Sequence, residues 1–298
     1  MSRNRKKDSL DVGYFAVAFF DLMGQQERLR KLTALPESKD SEEYQELVTS
    51  LKGTYGAVTG MRRVFRQYFE AFGKTDINIK NFPKEKRNTA KQLFSNPIKF
   101  HQFSDFIVAY MSLADNKGAK LPTRGIHGIL GAAAATSILS LASGHPIRGG
   151  VDLGVGIEVK HNEIYGAPLA RAYALESHVA NYPRVVIGEE LSDYLIQCSQ
   201  LPDTSEIDVM KRHTAELCKD LIAIDNDGYP FVDFLGQGVY DQFGCEDNDI
   251  KEVVKRGYEF VLQSSAKYQE EKNTKIAFKY TLLRNYIESR LSIWGIST

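Results

Sequence analysis

Apolar residues in this chain fall into a few short runs, separated by longer stretches in which they recur every third or fourth position. Residues 13–20 (GYFAVAFF) form an unbroken run of aromatic and small apolar side chains, the pattern of a strand buried on both faces, and the run stops at Asp21-Leu22-Met23-Gly24. A helix is expected to follow from about Gln25. Over residues 41–72, Tyr44, Leu47, Leu51, Tyr55, Val58, Met61, Val64, Tyr68 and Phe72 keep helical spacing, with Gly53 and Gly56 as points where the helix could break in two. The polar stretch 74–96 reads as a loop with a short helix. Residues 98–103 and 106–113 read as two strands around Ser104-Asp105, hence a hairpin. Residues 124–143 then read as a small-residue helix, 146–159 as a strand with a Gly-rich middle, and 163–165 as a short strand. A helix over 166–180 carries Pro168 in its first turn, where proline is tolerated, and 184–187 is a further strand. The order β-α-α-β-β-α-β-β-α-β predicts an α+β fold, a sheet packed by helices and close to the ferredoxin-like pattern with additions.

Beyond Glu190 the pattern changes. Helical periodicity recurs over 206–222, 248–268 and 275–294, with a hairpin and loop expected over 223–244. A soft boundary is therefore placed near 195, with a mainly helical extension over 196–298 packed on the core.

Composition narrows the function classes. The chain of 298 residues is 43% hydrophobic and 26% charged, an ordinary globular balance. Its 38 basic and 38 acidic residues cancel, so no global field exists to hold nucleic acid or an anionic membrane, and no stable partner of either kind is expected. The basic start, MSRNRKKD, reads as a solvated end. Cys198, Cys218 and Cys245 show no CxxC spacing, which argues against a disulfide framework or a structural zinc site. Residues 126–142 are apolar but short for a membrane span, and no signal-peptide pattern is present. A soluble, cytoplasmic protein is expected.

The chemistry lies where apolar runs end in acids. Asp21 closes the first run, and a glycine after it opens a turn whose backbone N–H groups can face a triphosphate. Asp105 sits between two apolar strands. Two carboxylates held together are costly unless a cation lies between them, an arrangement that two-metal phosphoryl-transfer sites use. Taken singly, Asp21 also reads as a helix cap and Asp105 as a turn residue. Further on, Gly150, Asp152 and Gly154 share one strand face, which suits either a bent strand or close approach of a backbone or ligand. Glu163-Ile164-Tyr165-Gly166 then turns into a helix carrying Arg171.

In this order the four segments resemble the class III adenylate/guanylate cyclase catalytic domain. That family's first strand ends in a pattern like F-x-D-I-x-G-F, matched by Phe19 to Gln25; its hairpin carries the second metal acid, matched by Asp105. Its next strand reads like R-x-G-I-x-x-G, matched from Arg148 to Gly154, and its later helix begins at Gly166. The resemblance covers roughly residues 13–190 and makes 1–195 a catalytic domain with a ferredoxin-like core, active as a homodimer with composite sites. It implies that Asp21 and Asp105 ligate two divalent cations, Mn2+ or Mg2+, with the Leu22 carbonyl completing one shell. It also implies that the N–H groups of Met23, Gly24 and Gln25 touch the phosphates, and that His101 and Glu163 occupy the base-reading positions. The family's ribose- and triphosphate-binding Asn and Arg fall on Ala170 and Ala174, neither of which can do that work. Arg171, one position along, is the candidate substitute, with a solvated surface arginine as its bland alternative.

The unusual base-reading residues, the missing Asn/Arg pair and the run ANYPRVVI over 180–187 are similar to the Pycsar antiphage cyclases, which make cyclic UMP or cyclic CMP. This resemblance implies UTP as the substrate, Phe103 or Tyr165 filling the space of a purine's second ring, and a separate cyclic-nucleotide-gated effector. A cytidylate or divergent purine cyclase, or a non-catalytic nucleotide sensor, stays open as an alternative. A diguanylate cyclase is disfavoured, because Phe103-Ser104-Asp105-Phe106 replaces its G-G-D/E-E-F signature.

Overall fold

The alternation of residues 13–20 builds the middle of an open sheet. The computed structural model describes residues 11–24, 34–73, 84–87, 97–115, 118–119, 122–159, 163–243 and 248–297. Strand β1 (Asp11–Leu22) pairs antiparallel with β3 (Phe106–Asp115) on one side and with β5 (Ile147–Val159) on the other. β2 (Lys99–Phe103) joins the outer edge of β3, and two short strands, β4 (Gly118–Ala119) and β6 (Glu163–Gly166), pair with β3 and β5. The sheet continues through β7 (Val185–Ile187), parallel to β5, and then through the hairpin of β8 (Ile222–Ile224) and β9 (Pro230–Val232). Strand order is β2-β3-β1-β5-β7-β9-β8, and every pairing except β5–β7 is antiparallel.

Two helices, α1 (Glu42–Gly73) and α2 (Pro122–Ala142), cover one face. α1 is continuous through Gly53 and Gly56. Both glycines are exposed, and the stripe Val58, Met61, Phe65 and Phe69 is buried at helical spacing, so tertiary packing outweighs a propensity cost of about 1 kcal/mol per glycine. α2 is apolar and long enough to cross a membrane by composition, but 83% of its most apolar window is buried inside the protein. It is the core helix that the small residues anticipate.

The opposite face carries α3 (Ala167–Ala174), which widens into a π-helical turn at Leu175–Val179 instead of continuing as α-helix to 180. A Cβ at Gly150 would run into the Ala172 carbonyl and the Leu175 side chain, so the glycine face of β5 exists to let α3 press against the strand. The close approach is by a backbone, and Asp152 beside it ties down helices. Its Oδ2 accepts from Arg171 Nε at 2.7 Å, and its Oδ1 accepts the Leu191 N–H at 3.1 Å.

Leu191 begins α4 (Glu189–Ser199), a helix that the periodicity did not indicate; the boundary placed near 195 falls inside it. Residues beyond it form α5 (Glu206–Lys219), α6 (Gln237–Phe243), α7 (Asn248–Glu270), α8 (Thr274–Glu288) and a 3-10 turn at Leu291–Trp294. Phe231, Leu283 and Trp294 share one buried cluster with Phe20, Phe65 and Ile129, so the chain after 195 completes the main core and widens its sheet. Cys198 and Cys218 are buried free thiols. The basic tail, the helix expected after Gln25 and Cys245 lie outside the described residues.

Candidate functional site

Alternation along β1 decides where Asp21 points. Ala16, Ala18, Phe20 and Leu22 enter the main core, whereas Phe15, Val17 and Phe19 enter a smaller cluster with Val108, Ile164 and Ala172 on the α3 face. Asp21 continues this second set. In register it stands between Phe106 of β3 and Arg148 of β5. Asp105 sits in the tight turn just before Phe106, where Ser104 takes a left-handed φ of 51°. The Leu22 N–H donates to the Asp105 carbonyl at 3.2 Å, which locks the turn against the end of β1. The two acids thus share one sheet edge.

The edge is electrostatically crowded. Arg148 Nη2 lies 3.2 Å from Asp21 Oδ2 and 2.6 Å from Oε1 of Glu176, which the π turn carries inward and buries. Burial pushes the Asp21 carboxyl up to about 6; the charges of Glu176 and Asp105 add to the rise, and Arg148 opposes it. Burial raises Glu176 as well, against the pull of Arg148 and Lys279. Asp105 Oδ2, Arg148 Nε and Glu176 Oε1 are buried without a hydrogen-bond partner among the described residues, the Arg148–Glu176 contact being an ion pair outside hydrogen-bond geometry. Native interiors leave few such atoms, and their concentration at one edge fits a site completed by something bound.

Two cavities meet here. The larger, about 1290 Å³, opens on the α3 face and is bordered by Asp21 and Asp105 together with His101, Phe103, Glu163 and Tyr165, the four positions expected to contact a base. Its floor is aromatic: Phe19 stacks on Phe106 at 4.9 Å, and Phe103 lies 5.5 Å from the same ring. Phe103 and Tyr165 stand at its mouth, 64% and 71% exposed. The second cavity, about 610 Å³, lies across Asp21 and Arg148, which border both, and is walled by Leu22, Met23, Gly24 and helices α7 and α8.

No protein-family model matches the chain, and no curated protein matches its sequence. Function is therefore read from this edge.

Several expected roles change in three dimensions. Arg171 borders neither cavity; it is held by Asp152 and the Leu153 carbonyl, and a Cβ on Gly154 would strike its guanidinium. Within the single chain it therefore fastens α3 to β5. The Met23 N–H donates to the Pro146 carbonyl at 3.0 Å, which removes it as a phosphate donor. Gly24, at φ 82°, turns the chain at the rim of the second cavity, and Gln25 lies outside the described residues. Ala170 borders the large cavity, where it offers no polar atom.

Arg148 and Glu176 were not anticipated as members of the acid cluster. Arg148 was visible only as the first residue of the glycine strand, and its pairing opposite Asp21 supplies the missing cue. Glu176 had no signal, because a regular α-helix over 166–180 would aim that position differently from a π turn.

The residues fit a hard divalent cation. Asp21, Asp105 and the Leu22 carbonyl offer oxygen donors, the type that suits Mg2+ and Mn2+. Among the described residues no three His, Cys, Asp or Glu side chains converge on one point. A site of two carboxylates matches the way Mg2+ is usually held, by one or two acids plus substrate phosphates.

Proposed function

We propose that this chain is a class III-type nucleotide cyclase that converts UTP to 3′,5′-cyclic UMP and pyrophosphate, as a second-messenger signal in bacterial antiphage defence. The observation that carries the reading is the shared edge of Asp21 and Asp105, with an unpartnered buried carboxylate oxygen, at the junction of an aromatic-floored cavity and a more polar one. The order β2-β3-β1-β5, antiparallel throughout, is that of a split β-α-β pair and supports a ferredoxin-like cyclase core.

In this reading Asp21 and Asp105, with the Leu22 carbonyl, hold the cations. Cations held there would lower the pKa of the ribose 3′-hydroxyl, whose oxygen would bond the α-phosphorus as the bond to pyrophosphate breaks, and would neutralise charge on that leaving group. Glu163 accepts the uracil N3–H and His101 donates to a neighbouring carbonyl oxygen, a pairing that needs one donor and one acceptor side by side. Phe103 and Tyr165 flank the ring. A cavity of about 1290 Å³ is more than a nucleotide needs, and the exposed rings of Phe103, Tyr165 and Tyr173 at its rim suit coverage by a second copy in a homodimer.

The test is incubation of the protein with Mn2+ and each of the four nucleoside triphosphates, with products identified by mass spectrometry. Cyclic UMP as the main product supports the reading. Turnover of ATP or GTP alone sinks the pyrimidine assignment, and turnover of none favours a nucleotide sensor. One observation supports that second reading: Ala170 lies in the cavity and Arg171 is tied to Asp152, so the family's ribose- and phosphate-binding pair has no replacement on α3.

A further inference from the structure

The smaller cavity is walled on one side by the turn after Asp21 and on the other by α7 and α8, a part of the chain beyond the resemblance to known cyclases. Lys267 and Lys279 project into its border from these two helices. Lys279 is half-buried and makes no ion pair within 4 Å among the described residues, although it feels the charges of Arg148, Glu176 and Asp21. Its ammonium is disfavoured first by burial and next by the nearby Arg148 guanidinium. Lys267 is mostly exposed, 3.9 Å from Glu271 and 5.5 Å above the Tyr268 ring. Arg148, by contrast, is committed to Asp21 and Glu176.

We propose that this cavity is the polyphosphate subsite of the chain, and that Lys279, assisted by Lys267, supplies the positive charge that holds it. The inference rests on the reading that the Asp21–Asp105 edge handles a nucleoside triphosphate. With the α-phosphorus at that edge and the base in the aromatic-floored cavity, the β- and γ-phosphates run across Asp21 into the second cavity, which Asp21 also borders. One donor of the first strand's own turn, the Met23 N–H, is spent on Pro146. A half-buried ammonium with no carboxylate within 4 Å among the described residues gains from an anion placed beside it. The C-terminal helices thereby complete the site in cis and offset the alanines at 170 and 174.

Calorimetric titration of the full chain with inorganic tripolyphosphate in Mg2+ buffer tests this, beside titration with uridine. Wild type should bind tripolyphosphate, and less tightly as salt is raised. Lys279→Met should weaken that binding about 10- to 100-fold, the scale of a lost charge-assisted contact, and Lys267→Met should weaken it less. Lys279→Arg should stay within about threefold of wild type, which separates lost charge from misfolding. Uridine binding should be equal in all variants. No tripolyphosphate binding by wild type, or equal binding by Lys279→Met, overturns the subsite. Cyclisation of UTP with unchanged KM in Lys279→Met also overturns it and leaves the cyclase reading standing. Lysine-dependent tripolyphosphate binding in a protein that cyclises no nucleotide keeps the subsite and removes the cyclase.

Discussion

Asp152 and Asp105 are both buried carboxylates on this sheet, 1% and 6% exposed, and their surroundings differ in kind. Both oxygens of Asp152 are spoken for, one by the start of α4 and one by Arg171 on α3. Burial still raises its carboxyl, but hydrogen bonds from Leu153, Leu191 and Arg171 pull the other way. Asp105 borders a cavity where Asp21, Glu176 and Arg148 crowd together, and its buried Oδ2 has no hydrogen-bond partner among the described residues. A satisfied acid fastens elements; an unsatisfied one beside other acids costs stability and is retained where a bound cation relieves it. The sheet therefore carries one acid that holds elements together through both oxygens and two that share a crowded edge beside Glu176 and Arg148.

The largest effect should come from breaking the second kind. If the chain is the proposed cyclase, Asp105→Asn is expected to cut cyclisation of UTP in Mn2+ by about a thousandfold or more while leaving the circular dichroism spectrum unchanged and the metal-free unfolding midpoint no lower. A variant that kept a tenth of the activity would remove Asp105 from the metal site.

The next largest is a pH effect at Asp21. Its carboxyl is raised from 3.8 to about 6, so the folded protein binds that proton more tightly than the unfolded chain does. Between those values the native state holds more protons, and stability contributed by this group falls as pH rises, the loss being complete above about 6. Asp21→Asn should therefore stabilise the metal-free protein at pH 7.5 by on the order of 1–3 kcal/mol and have little effect at pH 4. Denaturant unfolding at the two pH values measures this, and added Mn2+ should stabilise the wild type at the higher pH only.

Asp152→Asn sharpens the contrast from the other side. Losing charge-assisted bonds to Arg171 and to the Leu191 N–H should cost about 2 kcal/mol, seen as a fall of several degrees in Tm, with residual activity per folded molecule largely kept. The smallest effect is expected far from either acid. Gly53→Ala and Gly56→Ala place a methyl group where nothing lies within 4 Å, on an exposed helical face, and each should stabilise by about 0.5–1 kcal/mol.

Helix and strand identities among the described residues between 13 and 187 were largely legible because apolar spacing sets them: the runs before Asp21 and after Asp105 are strands, and the small-residue stretch before Ser143 is a buried helix. The hairpin expected over 223–244 is β8 and β9, but it starts at Ile222, within the stretch read as helical, and the loop expected after it holds helix α6 at Gln237–Phe243. Helix α4 was missed because the boundary was drawn through it. Its start is held by Asp152, about 40 residues upstream, a contact no local pattern contains. The acids at 21 and 105 were legible as strand-ending carboxylates, whereas His101, Phe103, Glu163 and Tyr165 came only with the family resemblance; all six border one cavity. Arg171 stands against Asp152 and the Leu153 carbonyl and borders neither cavity, because a helical residue one place from an expected one points about 100° away around the axis.

What the sequence determined by itself was periodicity: which segments are strands and helices, which faces are apolar, and where acids interrupt them. Only the tertiary structure decided which charges meet. Arg148 reaches Asp21 because β1 and β5 pair in one register, Glu176 arrives through a π turn, and Lys279 comes from a helix more than 250 residues after Asp21. Contacts of that kind depend on register and packing across the whole chain, and no window of local spacing encodes them.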